Sequence, residues 1–398
     1  MIIKPGSPDE NDEELELIAY AIEEEECMTS SAYPNYKNSI LSLDRIRDIT
    51  EDLSFICAEE EEKVKKSLTP QPFRFDDDFL IYTSIPEALK EILSFLKEID
   101  ENLYTIALNI YLGQSSDTIN IYSIQDDYYK KQIESGKLNK ESINTGGEGV
   151  KNAFVVLDTE LNNATYQKIK KIIGSGKCTF NEKKNIMHET AHFFDKSASK
   201  KAITLEDLRD SNYEPLPQLT SFFLTETTAI FFETIFAQHL AKKDPSLQPL
   251  ADEIIEKRIG LNILAVEKTL AMTSMVSAKR EFGFIPDGFL DYFADENKVQ
   301  DLRDEIVFSP FLYHPRRYVL AQLFVPTMLK IYNTDKETGK GRIKKYLECC
   351  RNDDIMGALK SFDLDITDEK NYEYLLENYK EYVAKYYYKN KPEPDIDR

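Results

Sequence analysis

The sequence predicts a mostly helical α+β protein folded in two lobes, and three observations carry that expectation. Of its 398 residues, 41% are hydrophobic. That is enough for more than one core, because single cores seldom grow past roughly 250 to 300 residues. Helical periodicity fills both ends of the chain. Branched and aromatic runs that suit strands are confined to its middle.

Taken in order, residues 9–26 and 39–67 alternate acidic positions with Leu15, Ile18 and Ile22, then with Leu43, Ile46, Ile49, Leu53 and Ile56. Such spacing gathers the apolar side chains on one helix face. These helices either cover a cleft or begin a lobe. Pro70-Gln71-Pro72 breaks the pattern, after which Pro86–Leu103 reads as a helix and Tyr104–Leu112 and Thr118–Ile124 read as strands. Gly146-Gly147 is a second break before Ala153–Leu157, a short branched run that also reads as a strand. Beyond Thr179 strand signals nearly vanish, and helical patterns run through 217–242, 248–281, 316–333, 341–361 and 368–389. The expected division is an acidic helical segment (1–68), an α+β lobe with an edge strand (69–178) and a helical lobe (179–398), ending in a frayed tail from Lys391.

Composition narrows the function. The formal net charge is -21, which disfavours nucleic acid and anionic membranes, since both demand clustered lysine and arginine. Much of it is local: residues 1–62 carry 18 acidic and 4 basic side chains, a net of -14, the pattern of a solvated helix face. The five cysteines form no CxxC pair, which fits a reducing compartment. Acid stands where a signal peptide needs basic charge followed by an apolar run, and no stretch reaches 18 uninterrupted apolar residues. The expectation is a cytoplasmic protein, or one secreted by a route independent of a signal peptide.

The chemistry is concentrated in His188-Glu189-Thr190-Ala191-His192, which holds two of the four histidines in the chain. On a helix, HExxH puts two imidazoles one turn apart on one face, the zinc-binding arrangement of metallopeptidases. Thr179-Phe180-Asn181-Glu182 reads as a capping box that starts this helix. Strand, linking helix and metal helix is then a zincin order.

A catalytic zinc needs a third protein ligand and an open position. The metzincin pattern would place glycine at 195 and histidine or aspartate at 198, whereas this chain has Asp195 and Ala198. Glu226 and Glu233 lie seven apart, on one face of an otherwise apolar helix, and buried carboxylates on such a face need a cation or donors. His239, thirteen residues after Glu226, is rotated off that face and is excluded as a ligand. Asp195 either accepts an imidazole N–H or ends the helix as a solvated charge.

Residues 226–240, ETTAIFFETIFAQHL, resemble the third-ligand helix of oligoendopeptidase F-like metallopeptidases, and fit the general gluzincin pattern of HExxH plus glutamate. The resemblance implies Glu226 as third zinc ligand, in preference to Glu233, which would orient a ligating histidine or the bound water. Residues 313–322, YHPRRYVLAQ, look like the stretch in which a tyrosine precedes a Leu-Ala-Gln helix in the same family. By that resemblance Tyr318 would hydrogen-bond the reacting carbonyl, with His314 a second donor; packing and turn-capping roles stand beside these.

The implied fold is zincin-like, with a small sheet lobe and a helical lobe flanking an active-site cleft. The implied activity is a zinc-dependent hydrolysis of peptide bonds, with one zinc on His188, His192 and Glu226, and Glu189 as general base. The partner is a peptide or protein substrate. Ala153–Leu157 either pairs with substrate backbone as an edge strand or is internal. The competing reading is a non-catalytic protein that keeps the fold and uses its acidic helices as an interaction surface.

Overall fold

The computed structural model describes residues 12–32, 42–65, 82–111, 118–122, 152–156, 177–192, 194–195, 219–294, 298–308, 310 and 312–387. Two compact units emerge: one comprises Met1–Gln71, Ile255–Thr327 and Leu364–Arg398, the other Pro72–Ile254 and Met328–Asp363. The architecture is mostly helical, at 86% of the described residues, so helix packing rather than a sheet builds both cores.

The first unit contains α1 (Glu13–Ala32), α2 (Leu43–Lys65), most of α7 (Gln248–Phe282), α8 (Val299–Phe308), the start of α9 (Tyr313–Thr334) and α12 (Glu369–Tyr386). Helix α1 is acidic outward, yet its Leu15, Ile18, Ala19 and Ile22 enter a core with Met272, Met275 and Val276 of α7 and Ile306 of α8. The acidic leading segment is therefore an integral part of this unit, anchored through its apolar stripe. Arg303 of α8 reinforces it with hydrogen bonds to Asp12 (Nη2 to Oδ1, 3.0 Å) and Glu14 (2.8 Å). Helix α7 is long and apolar enough by composition to cross a membrane, but 56% of its most apolar 18-residue window is buried inside the protein, as in a core helix.

The second unit holds β1 (Tyr82–Ser84), α3 (Ile85–Ile99), α4 (Glu101–Tyr111), β2 (Thr118–Tyr122), β3 (Asn152–Val156), β4 (Lys177–Thr179), α5 (Phe180–Ala191), α6 (Leu219–Lys243), α10 (Lys336–Arg351) and α11 (Ile355–Ser361). Its sheet content among the described residues is two pairings: β1 antiparallel to β4, and β2 parallel to β3 with Ala153 opposite Ile119. Its core is aromatic. Phe232 of α6 meets Phe194 edge-on at 5.0 Å, and Phe231 lies 5.8 Å from Phe362, geometries favoured by ring quadrupoles.

Two element expectations are corrected. The run Tyr104–Leu112 was expected as a strand and forms α4 as far as Tyr111; Leu103 and Ala107, four apart, are buried, and Asp100 starts the helix by accepting from the Asn102 N–H at 2.6 Å. The pattern over 341–361 is two helices, because Asp353 adopts a left-handed φ of 57°. Asp354 then caps α11 by accepting from the Gly357 N–H at 2.8 Å. The breaks at Pro70–Pro72 and Gly146-Gly147, the end of the expected strands at 123–124 and Leu157, Ala198 and the tail from Lys391 lie outside the described residues.

Candidate metal centre

Helix α5 begins as its sequence requires. The Thr179 hydroxyl accepts from the Glu182 N–H at 3.1 Å, while the Glu182 carboxylate accepts from the Thr179 N–H at 2.6 Å. The capping box satisfies two otherwise orphaned donors. Lys183 ties the helix to its surroundings, donating to the Thr83 hydroxyl at 3.1 Å and pairing with Glu91 of α3. Ile186, Met187 and Ala191 bury one side. Lys184, His188 and His192 follow one another at four-residue steps and therefore share a face. The helix ends at Ala191, with His192 as its C-cap residue.

Helix α6 supplies the opposing wall. Between Phe223 and Ala237 its side chains are buried all round, the mark of a helix inside a core. Two of its threonines dispose of their hydroxyls locally: Thr228 donates to the Leu224 carbonyl at 3.2 Å and Thr234 to the Ile230 carbonyl at 2.7 Å. Thr225 does something else, placing Oγ1 2.9 Å from Nδ1 of His192. One and eight residues further along α6, the carboxylates of Glu226 and Glu233 approach His188 of α5 as well.

Three buried side chains converge. His188, His192 and Glu226 each offer a ligand atom, and these atoms lie within 4.8 Å of one another. The Nε2 of His188 is 3.6 Å from Oε2 of Glu226, and the Nε2 of His192 is 3.9 Å from Oε1. Bonds of about 2.0 to 2.2 Å would place neighbouring ligand atoms of a tetrahedral ion roughly 3.4 Å apart, so small side-chain adjustments close the set around a cation. Glu226 Oε2 is buried without a hydrogen-bond partner, an expensive state for a carboxylate oxygen unless a cation meets it. This group can hold a metal ion.

The outer nitrogens of both imidazoles are committed. His188 Nδ1 sits 2.7 Å from Oε2 of Glu233, so the Nδ1–H tautomer leaves the Nε2 lone pair facing Glu226. Bonding of His192 Nδ1 to the Thr225 hydroxyl turns its Nε2 toward Glu226 in the same way. Fixing tautomer and ring direction from behind is how ligating histidines are prepared. Lys184 Nζ stands 3.5 Å from the same Glu233 oxygen. Burial opposes protonation of His188, but the Glu233 carboxylate beside it, then Glu189 and Glu226, more than offset this and raise its pKa. The same three carboxylates, set against one lysine, make this a pocket that favours positive charge.

The remaining residues fall as follows. Glu189 is buried beside the two histidines on α5. Asp195 is only 1% exposed, which removes the solvated-charge reading; it lies within the electrostatic reach of Tyr346, Cys350 and Arg351. Arg351 Nε also donates to the Phe194 carbonyl at 2.8 Å, pinning the chain just past the motif. His239 packs on Phe95 at 4.9 Å and faces Glu98 at 3.7 Å, outside the ligand group. Tyr318, half-buried, and His314 belong to α9 in the first unit, whereas the three ligands belong to the second; the His314 side chain lies outside the described residues. Lys184 and Thr225 escaped the sequence reading, though Lys184 carried a signal: it is one turn ahead of His188 on the motif face.

No family model, curated protein or solved structure matches this chain.

Proposed function

We propose that this protein is a zinc-dependent metallopeptidase of gluzincin type, with a zincin-like arrangement and His188, His192 and Glu226 as its zinc ligands. The observation that carries the reading is the buried meeting of an HExxH helix with a glutamate of a second helix. Two imidazoles and one carboxylate are the ligand set of thermolysin-type catalytic sites, which keep a fourth position open. Zinc bound there supplies Lewis acidity toward water and toward a peptide carbonyl.

The chain's own residues do the rest. Glu189 takes a proton from the attacking water at its carboxylate and passes it to the departing amine, a single group serving both halves of the reaction. Glu233 and Thr225 hold the two imidazoles in the tautomer that presents Nε2. The resemblance of residues 313–322 assigns Tyr318, with His314, to donation of a hydrogen bond to the carbonyl oxygen as negative charge develops on it. The substrate is a peptide or protein.

Hydrolysis of a fluorogenic peptide library by the zinc-loaded protein tests the reading. Wild type cleaves and a chelator abolishes it; Glu189→Gln keeps its zinc and loses about 100-fold or more of the rate, and Tyr318→Phe lowers kcat with zinc content unchanged. A Glu189→Gln protein as active as wild type sinks the peptidase reading.

A further inference from the structure

We infer that Lys184 is a positioning residue of the metal centre, clamping the Glu233 carboxylate so that His188 keeps the orientation a metal ligand needs. The inference rests on the metal-site reading above and extends it to a residue outside the motif.

The geometry is specific. Lys184 and His188 occupy successive turns of one face of α5, and both reach the same atom: Oε2 of Glu233 lies 3.5 Å from Lys184 Nζ and 2.7 Å from His188 Nδ1. A cationic anchor from the same helix restricts the plane of the carboxylate that His188 bonds, and hence the direction of the imidazole N–H. The exposure of the two pairing side chains is 9% for Lys184 and 1% for Glu233, so neither end of the pair is screened by water as a surface pair would be.

Stability is a poor explanation for this arrangement. Desolvating a lysine and a carboxylate costs several kcal/mol per ion, which their attraction recovers only in part. An apolar side chain at 184 would bury at lower cost on a helix already rich in packing contacts. Function in the adjacent site accounts for the charge: Lys184 offsets one of three neighbouring carboxylates and leaves the remaining negative charge, Glu226 with Glu189, directed at the cation. Lys183, the preceding residue, is also buried but faces β1 and α3, so adjacency to the motif alone does not produce the clamp.

The test uses the full chain loaded with cobalt(II), whose visible absorption reports ligand geometry, together with zinc affinity from competition with a chromophoric chelator. The variants are Lys184→Met, Lys184→Arg and Glu233→Gln. The expected result is a shifted cobalt spectrum and about 10- to 100-fold weaker zinc binding in Lys184→Met and in Glu233→Gln, with Lys184→Arg close to wild type in both. If Lys184→Met matches wild type in spectrum and affinity while Glu233→Gln does not, the lysine is a structural pair and the inference is overturned. If wild type itself gives no cobalt spectrum and no zinc binding, the metal centre fails, and the inference falls with it. Should Lys184→Met not fold by circular dichroism, Lys184→Gln takes its place with the same two readings.

Discussion

Glu226 and Glu233 are chemically identical, seven residues apart on one helix, and still meet different atoms. Glu226 closes on both Nε2 atoms, while Glu233 sits behind His188 on Nδ1. The sequence distinguishes them only through the family resemblance, because helical periodicity puts both on one face. The same limit hid Thr225: a threonine hydroxyl on a helix usually returns to the carbonyl four residues earlier, as Thr228 and Thr234 do here. Only the placement of α6 against the end of α5 turns Thr225 toward His192. Thr225→Val keeps the shape, removes the acceptor for His192 Nδ1–H, and is expected to weaken zinc binding by about 10-fold or more without lowering thermal stability by a comparable margin. Equilibrium dialysis against graded free zinc measures this; affinity equal to wild type would remove Thr225 from the site.

At the scale of elements, the helices were legible wherever apolar spacing and a start signal agree. The HExxH helix is the clearest instance, since Thr179 and Glu182 form the expected reciprocal cap. A Thr179→Ala variant should lose about 1 kcal/mol of unfolding free energy, read from urea denaturation of the metal-free protein; an unchanged midpoint would mean that tertiary packing alone sets the start of α5. Failure came where propensity and packing conflict. Tyr104, Thr105 and Ile106 favour strands by residue type, but the chain has just left α3 at Asp100, which caps a new helix and buries Leu103 and Ala107. Residues 341–361 keep helical spacing across their break, so periodicity alone could not find the turn at Asp353; the cluster Asn352-Asp353-Asp354 carried the signal, as residues that tolerate a positive φ and cap the next helix.

For the whole molecule, composition identified a large, strongly acidic chain and apolar spacing a helical one, and the structure explains how part of the acid is accommodated. Glu13 and Glu14 of α1 face outward, while Asp12, just before the helix, is drawn into the first unit by Arg303. Burial acts to raise the Asp12 pKa, but the hydrogen bonds from Arg303 and the Leu15 amide outweigh it and hold the carboxyl below its usual value. A carboxyl depressed in the folded state contributes stability that is present above its unfolded pKa of about 4 and lost as pH falls through the lower folded value. Asp12→Asn is therefore expected to lower the stability of the first unit by about 1 to 3 kcal/mol at neutral pH, with the difference from wild type shrinking below about pH 4. Thermal melts across pH 2.5 to 7 check the sign; a difference that grew on acidification would contradict it. How the pieces of distant sequence that make each unit find one another was not legible, because each unit is assembled from separated stretches and no local pattern encodes that pairing.

The most direct test of the central claim is zinc stoichiometry, by elemental analysis of wild type, Glu226→Ala and Glu233→Ala purified without added metal. The ligand set on His188, His192 and Glu226 predicts about one zinc per wild-type chain, loss of that zinc in Glu226→Ala, and weakened but detectable retention in Glu233→Ala. A wild-type protein without tightly bound metal, or a Glu226→Ala protein that keeps its full complement, would contradict it.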